Sequence, residues 1–102
     1  MNYDNLPLTV NPQSHQLEMN VGGQIALIEY RLADGILKLI HTHVPPELEG
    51  KGVGSAIVLK ALNYAKENNY KIIPICPFVQ AYLKKHTEWN EIITPNRFFD
   101  PQ

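Results

Sequence analysis

A glycine-rich segment near the middle of the chain carries residue types suited to binding an anion. Gly50, Gly52 and Gly54 stand at alternating positions between an apolar run that ends in two prolines and an amphipathic segment. Because glycine has no Cβ and the first amides of a helix lack internal partners, the segment predicts a cradle for phosphate oxygens. The alternative is a tight strand-to-helix turn that binds nothing, since short glycine motifs recur by chance. The segment lacks both the Gly-Lys-Ser/Thr end of a P-loop and the third glycine of a dinucleotide fingerprint.

The one cysteine of the chain is a candidate nucleophile. Cys76 precedes Pro77, a residue favoured at the first position of a helix, and a helix N-terminus favours the thiolate form. His41 and His43 lie near the end of an earlier predicted strand, and the carboxyl ends of strands in such sheets gather ligands. Cys76 and an imidazole would therefore act as nucleophile and base. The alternative is that Cys76 is a small buried apolar residue.

The same three side chains allow another interpretation. His41, His43 and Cys76 are residue types that bind zinc, although no carboxylate accompanies them and two ligands on one strand are weak support. We expect one histidine to serve the structure and the other to face the cleft, where its proton transfer near neutral pH is useful.

The patterns around these residues predict an α/β fold with a mixed sheet. Three antiparallel strands, Leu17–Val21, Gln24–Leu32 and Ile36–Val44, are joined by hairpins at Gly22-Gly23 and Asp34-Gly35, and are followed by a helix from Val53, a parallel strand Lys71–Ile75 and a helix from Pro77. On the third strand, alternation predicts one face shared by Leu37, Leu39, His41 and His43. Residues 1–13 predict an arm or frayed edge, Glu91–Thr94 a short closing strand, and residues 95–102 a tail whose Phe98-Phe99 packs on the body.

Composition limits the class of protein. A chain of 102 residues predicts a single domain over residues 1–102, and a net charge of −1 without a basic block argues against nucleic acid as a partner. One cysteine favours a reducing compartment. The N-terminus has neither the basic region nor the apolar core of a signal peptide, and no membrane span is visible, so we expect a cytoplasmic location.

Two segments resemble a known family. Glu49-Gly50-Lys51-Gly52-Val53-Gly54, after a strand and opening a helix, is similar to the pyrophosphate signature of the GNAT superfamily of acetyl-CoA-dependent N-acetyltransferases, although Glu49 replaces the usual Gln or Arg. Val44-Pro-Pro-Glu-Leu-Glu-Gly-Lys-Gly-Val-Gly and Ile75-Cys-Pro-Phe-Val-Gln-Ala-Tyr-Leu-Lys-Lys-His86 resemble the small single-domain members. The similarity spans roughly residues 17 to 93.

The resemblance implies roles for particular residues. In the family, the strand before the loop pairs with the pantetheine arm of CoA, which here implicates His43 and Val44. Loop amides hold the pyrophosphate, which implicates Glu49, Gly50, Lys51, Gly52, Val53, Gly54 and Ser55. Tyr82 matches the tyrosine that can protonate the departing thiolate, although His86-Thr87 replaces the usual Gly-Phe. Cys76 stands where small relatives carry a cysteine, and would accept an acetyl group itself.

The implied activity is transfer of an acetyl group from acetyl-CoA to an amine of a small molecule or protein, with His41 as the base. Larger members place helices between their first two strands; Gly22-Gly23 replaces them here, so the acceptor side should be open. We expect a monomer or weak dimer. The alternative is a CoA-binding adaptor without catalysis.

Overall fold

The structure, a computed structural model, describes residues 2–94. Its strands are β1 (Thr9–Asn11), β2 (Gln16–Val21), β3 (Gln24–Ala33), β4 (Ile36–His43) and β5 (Lys71–Pro74), and its α-helices are α1 (Val53–Glu67) and α2 (Pro77–Lys85). Two 3₁₀ turns, Pro46–Leu48 and Thr87–Ile92, precede α1 and follow α2. None of the helices in this part of the chain is long and apolar enough to cross a membrane. The predicted tail, with Phe98-Phe99, lies outside the described residues.

The five strands form one mixed sheet in the order β1-β2-β3-β4-β5. The first four run antiparallel, and β5 pairs in parallel with β4. Gly22 and Gly23 have φ of 61° and 91°, and Asp34 and Gly35 have φ of 54° and 76°, which are the positive values that a two-residue type I′ hairpin requires. The predicted α/β class, the hairpins, the parallel strand and the helices are confirmed.

Both helices pack on the same face of the sheet. The buried residues of α1 recur at helical spacing: Val53, Gly54, Ile57, Val58, Ala61, Leu62 and Ala65. They share one apolar core with Val79 and Leu83 of α2 and with the buried side chains of β2, β3 and β4, which include Leu17, Met19, Ala26, Ile28, Leu37 and Leu39. Burial of these side chains supplies the main driving force for folding, and it fixes the helix N-termini against the end of β4.

A bulge interrupts β4. Glu29 of β3 pairs with His41, and the next residue of β3, Tyr30, pairs with Leu39, so Ile40 is an extra residue without a partner in β3. A bulge of this kind bends the strand and resets the alternation of its side chains. The sequence predicted an uninterrupted strand here.

The bulge decides which side chains of β4 face the helices. Thr42 pairs with the buried Ile28 and therefore lies on the helix-covered face. His41 and His43 lie on the opposite face and are exposed. The prediction that both histidines share a face with Leu39 is wrong, because one additional residue stands between Leu39 and His41.

The N-terminal segment is more ordered than predicted. Residues Thr9–Asn11 form β1 beside β2, with Val10 paired to Leu17. Tyr3 is buried, and Leu6, Leu8 and Val10 pack against the core. The segment predicted as a frayed arm therefore extends the antiparallel part of the sheet from three strands to four.

The predicted closing strand Glu91–Thr94 is reduced to one parallel bridge between Ile72 and Ile93. The amide of Thr94 also donates to the carbonyl of Ile72, at 2.9 Å. Glu91 and Ile92, the first two residues of the predicted strand, belong instead to the 3₁₀ turn after α2.

Candidate active site

β4 and β5 separate after Leu39. Their pairing ends at Leu39 and Pro74, and proline has no amide hydrogen with which to continue the ladder. The amides of Ile75 and Cys76 both donate to the Leu39 carbonyl, at 3.0 and 2.9 Å, while β4 itself continues to His43. In the described part of the chain, the edge of β4 beyond Leu39 therefore faces an opening instead of a strand.

Cys76 lies at the base of this opening. The residue is only 3% exposed, and its Sγ is 3.4 Å from Oγ1 of Thr42. Cys76 is the N-cap of α2, and Pro77 takes an N-terminal helical position, as predicted from the sequence. The bulge thus brings a hydroxyl to the thiol, not an imidazole.

The structure does not bring His41 or His43 to Cys76. Both imidazoles lie on the sheet face opposite the helices, His41 beside its β3 partner Glu29. The predicted nucleophile–base pair is therefore not formed, and neither is the three-ligand metal site. Among residues 2–94, no three His, Cys, Asp or Glu side chains are grouped so that they could hold a metal ion.

A cleft of about 390 Å³ opens between the end of β4 and the start of α1. Its lining consists of Thr42, Val44, Leu48, Glu49, Gly50, Gly52, Val53, Gly54, Ser55 and Phe78. Seven of the nine residues predicted to bind the coenzyme are in this lining; His43 and Lys51 are not. Lys51 nevertheless lies in the same loop, where its carbonyl accepts a hydrogen bond from the Tyr3 hydroxyl at 2.8 Å.

The loop at the cleft presents a run of free backbone amides. From Gly50 to Ser55, no amide makes a hydrogen bond of good geometry with another described residue. Gly50 and Gly52 have φ of 77° and 79°, in the left-handed region where a Cβ is strained, and Gly52 is the N-cap of α1. Free amides at the positive end of a 15-residue helix attract anions. This geometry suits a phosphate or diphosphate.

Phe78 is a cleft residue that the sequence analysis missed. A Cβ built on Gly54 would lie 2.7 Å from Cζ of Phe78, so the missing side chain lets the ring approach α1. Phe78 is 43% exposed, and its ring forms an apolar wall of the cleft. Periodicity could not reveal this contact, because it joins two helices that are adjacent only in the folded chain. The sole signal was an aromatic residue two positions after Cys76.

A second cavity of about 600 Å³, here called the outer cavity, adjoins the loop and shares Gly52 and Ser55 with the cleft. Its other lining residues are Asn2, Tyr3, Asp4, Ala56, Leu59, Lys60, Asn63, Tyr82 and His86. The rings of Tyr82 and His86 stack with centroids 4.1 Å apart. Burial and, to a lesser extent, the Glu88 carboxylate raise the pKa of Tyr82. Tyr82 thus lines the outer cavity and not the cleft.

Comparison with known proteins decides the family. The sequence profile of the GCN5-related N-acetyl-transferase family matches residues 16–92, which is most of the chain. The chain belongs to this family. A GCN5-like candidate N-acetyltransferase from Staphylococcus aureus, solved in solution by NMR, has a similar structure, with a TM-score of 0.66 and 28% sequence identity over 92% of this chain and 93% of that one.

Membership of the GCN5-related N-acetyltransferase family confirms the resemblance seen in the sequence and supports acetyl transfer as the general activity. Acetyl-CoA is the co-substrate that this family generally uses. The matched range contains the opening, the glycine loop, Cys76 and Tyr82, whereas Tyr3 lies before it.

Proposed function

We propose that this protein transfers an acetyl group from acetyl-CoA to an amine. The observation that carries the proposal is the run of free amides from Gly50 to Ser55, set beside the opening that begins after Leu39. A single extended coenzyme can reach both features, because Thr42 and Val44 at the opening and the glycines of the loop line one cleft.

In this proposal, the diphosphate lies against the loop amides and the pantetheine arm runs along the free edge of β4. The backbone of His43 and Val44 would pair with its amide groups, in the way that an added strand pairs with a sheet edge. The thioester then enters the opening near Cys76. The nucleoside half would occupy the outer cavity, where Lys60 offers a positive charge and the stacked rings of Tyr82 and His86 offer an apolar surface.

Direct transfer needs a base for the acceptor. The amine attacks the thioester carbonyl carbon, the carbon–sulfur bond breaks, CoA leaves as a thiolate and the amine gives up a proton. His41 is the proposed base. It lies at the bulge, on the exposed sheet face, so an acceptor arriving from that face would meet it at the edge of the opening. The N-terminal end of α2 at Cys76 would stabilise the thiolate. Tyr82 lines the outer cavity, beside the nucleoside half, and takes no part in this step.

A covalent route would pass through Cys76. The Cys76 thiolate would attack the thioester carbon and release CoA as a thiolate, and the amine would then attack the acetyl-cysteine and return the thiolate. The 3.4 Å contact to Thr42 gives the thiol a polar partner, and the α2 N-terminus supports the thiolate. His41 cannot assist this first step from the opposite face of the sheet.

A second candidate function is a CoA-binding adaptor without catalysis. The observation favouring it is the two-residue link Gly22–Gly23 between β2 and β3, which leaves no helices to wall an acceptor pocket. The same openness suits transfer to an exposed amine on a peptide or protein. An acetylation assay with a panel of amines distinguishes the two functions, because an adaptor would bind CoA but acetylate none of the amines.

The decisive experiment is calorimetric titration of CoA into the wild-type protein, Gly52→Ala and Gly22→Ala. Both glycines have positive φ and open space where a Cβ would stand, so the two substitutions impose a similar backbone strain. Only Gly52 lies at the cleft. We expect Gly52→Ala to bind CoA more weakly than the wild type and Gly22→Ala to bind it as tightly. If the wild-type protein binds no CoA, by titration or by native mass spectrometry, the proposed function is refuted.

A further inference from the structure

Tyr3 ties the N-terminal arm to the glycine loop. Tyr3 is 6% exposed and belongs to the core, and its hydroxyl donates to the backbone carbonyl of Lys51 at 2.8 Å, across 48 residues of sequence. Tyr3 and its neighbours Asn2 and Asp4 also form one wall of the outer cavity. The arm therefore contacts the glycine loop and also lines the outer cavity.

The contact with Lys51 bears on the orientation of the next amide. In a trans peptide, the carbonyl and the following N–H point in opposite directions from a rigid plane. Holding the Lys51 carbonyl toward the Tyr3 hydroxyl therefore directs the N–H of Gly52 away from that hydroxyl. Gly52 stands in the left-handed conformation at the N-cap of α1, so its amide is central to the run of free donors.

The loop needs such a tether because its own residues supply little rigidity. Gly50, Gly52 and Gly54 reach more backbone conformations than other residues when unfolded or loosened, so ordering them costs more entropy. No side chain caps the N-terminus of α1. The Tyr3–Lys51 hydrogen bond joins the backbone of this loop to a side chain of the core.

We propose that Tyr3 is a positioning residue that holds the glycine loop in its anion-binding conformation before the coenzyme arrives. The proposal rests on the proposed function of the loop as the diphosphate site. Tyr3 acts through the Lys51–Gly52 peptide and touches no reacting atom. Because preorganisation removes part of the ordering cost from binding, its loss should appear mainly in coenzyme affinity. Tyr3 lies outside residues 16–92, the range that the family profile matches.

The test compares Tyr3→Phe with Tyr70→Phe. Tyr3→Phe keeps the buried ring and removes only the hydroxyl. Tyr70 contacts Tyr64 edge-to-face near the C-terminal end of α1, so its variant is a matched loss of one tyrosine hydroxyl away from the cleft. For each protein, calorimetry gives the dissociation constant for CoA, and competition gives the dissociation constant for inorganic pyrophosphate. Amide hydrogen exchange is followed at Ala56, whose N–H donates to the Gly52 carbonyl at 3.0 Å and therefore reports on the order of the loop. Thermal unfolding gives stability.

We expect Tyr3→Phe to raise the dissociation constants for CoA and for pyrophosphate by the same factor, about three- to tenfold, which corresponds to the loss of one hydrogen bond. We also expect faster exchange at Ala56, with neither change in Tyr70→Phe. If the wild type binds CoA and Tyr3→Phe binds it equally well, the tether is overturned while the proposed function stands. If Tyr3→Phe only lowers the unfolding temperature, as Tyr70→Phe does, Tyr3 is structural. If the wild type binds no CoA, the proposed function itself fails, and exchange at Ala56 then shows separately whether the tether orders the loop.

Discussion

Thr42 Oγ1 and Cys76 Sγ lie 3.4 Å apart where β4 and β5 have ceased to pair. The two residues are 34 positions apart in the sequence, and their contact depends on the extra residue Ile40 in β4. Side chains thus meet across the opening where backbone hydrogen bonds would otherwise continue the sheet. A thioester that enters from the cleft would approach this pair first.

Cys76 should acquire an acetyl group from acetyl-CoA. The reason is its place at the base of the opening, with the α2 N-terminus favouring the thiolate. We expect intact-protein mass spectrometry to show one acetyl increment, peptide mapping to place it on Cys76, and Cys76→Ala to lack it. Turnover that persists in Cys76→Ala without any increment in the wild type would leave direct transfer as the route.

Replacing His41 by Ala should lower turnover by about 10²–10⁴-fold, the usual contribution of a general base, while CoA still binds. The exposed sheet face gives an acceptor amine access to this imidazole. His43→Ala is the matched control, because its side chain lies two residues further along the same face. Steady-state rates with a saturating acceptor measure the effect. Equal rates for the wild type and His41→Ala would show that another group is the base.

Glu49→Gln should bind CoA more tightly than the wild type, by about two- to fivefold at low salt. Glu49 lines the cleft, so its carboxylate repels the coenzyme phosphates, and screening by solvent and salt keeps the effect modest. Glu47→Gln removes the same charge from a nearby residue that does not line the cleft, and should change the affinity less. Titration of CoA at two salt concentrations tests this. A gain in affinity that is equal in both variants, or that does not change with salt, would contradict the explanation.

Ionisation of the Tyr82 phenol should lower the free energy of unfolding at alkaline pH. Burial and then Glu88 raise its pKa in the folded protein above the ordinary value of about 10. The neutral phenol is therefore favoured in the folded state; this contribution is fully present below about pH 10 and is lost as the pH rises through the raised pKa. Urea unfolding across that pH range should show that the free energy of unfolding falls less steeply in Tyr82→Phe than in the wild type. In Glu88→Gln, the Tyr82 phenol should ionise at lower pH, because the Glu88 carboxylate raises its pKa. An identical pH dependence in the wild type and Tyr82→Phe would show that Tyr82 makes no such contribution.

Much of the fold could be predicted from local requirements of the backbone. Gly22–Gly23 and Asp34–Gly35 predicted their hairpins because two-residue turns require positive φ, and the period of apolar residues predicted α1. The arm was underestimated because β1 has only three residues and its order comes from pairing with β2 and from the burial of Tyr3. Such stabilisation is not visible in a short polar segment read alone.

The sequence by itself determined where the glycine loop and the N-cap Cys76 stand, because glycine conformations and helix starts are set by neighbouring residues. Only the tertiary structure decided what those residues meet. Because of the bulge at Ile40, Thr42 and not His41 lies beside Cys76. The folded chain also places Tyr3 in contact with Lys51. These contacts depend on strand register and on packing between distant segments, and a shift of one residue in register reverses every side chain that follows it.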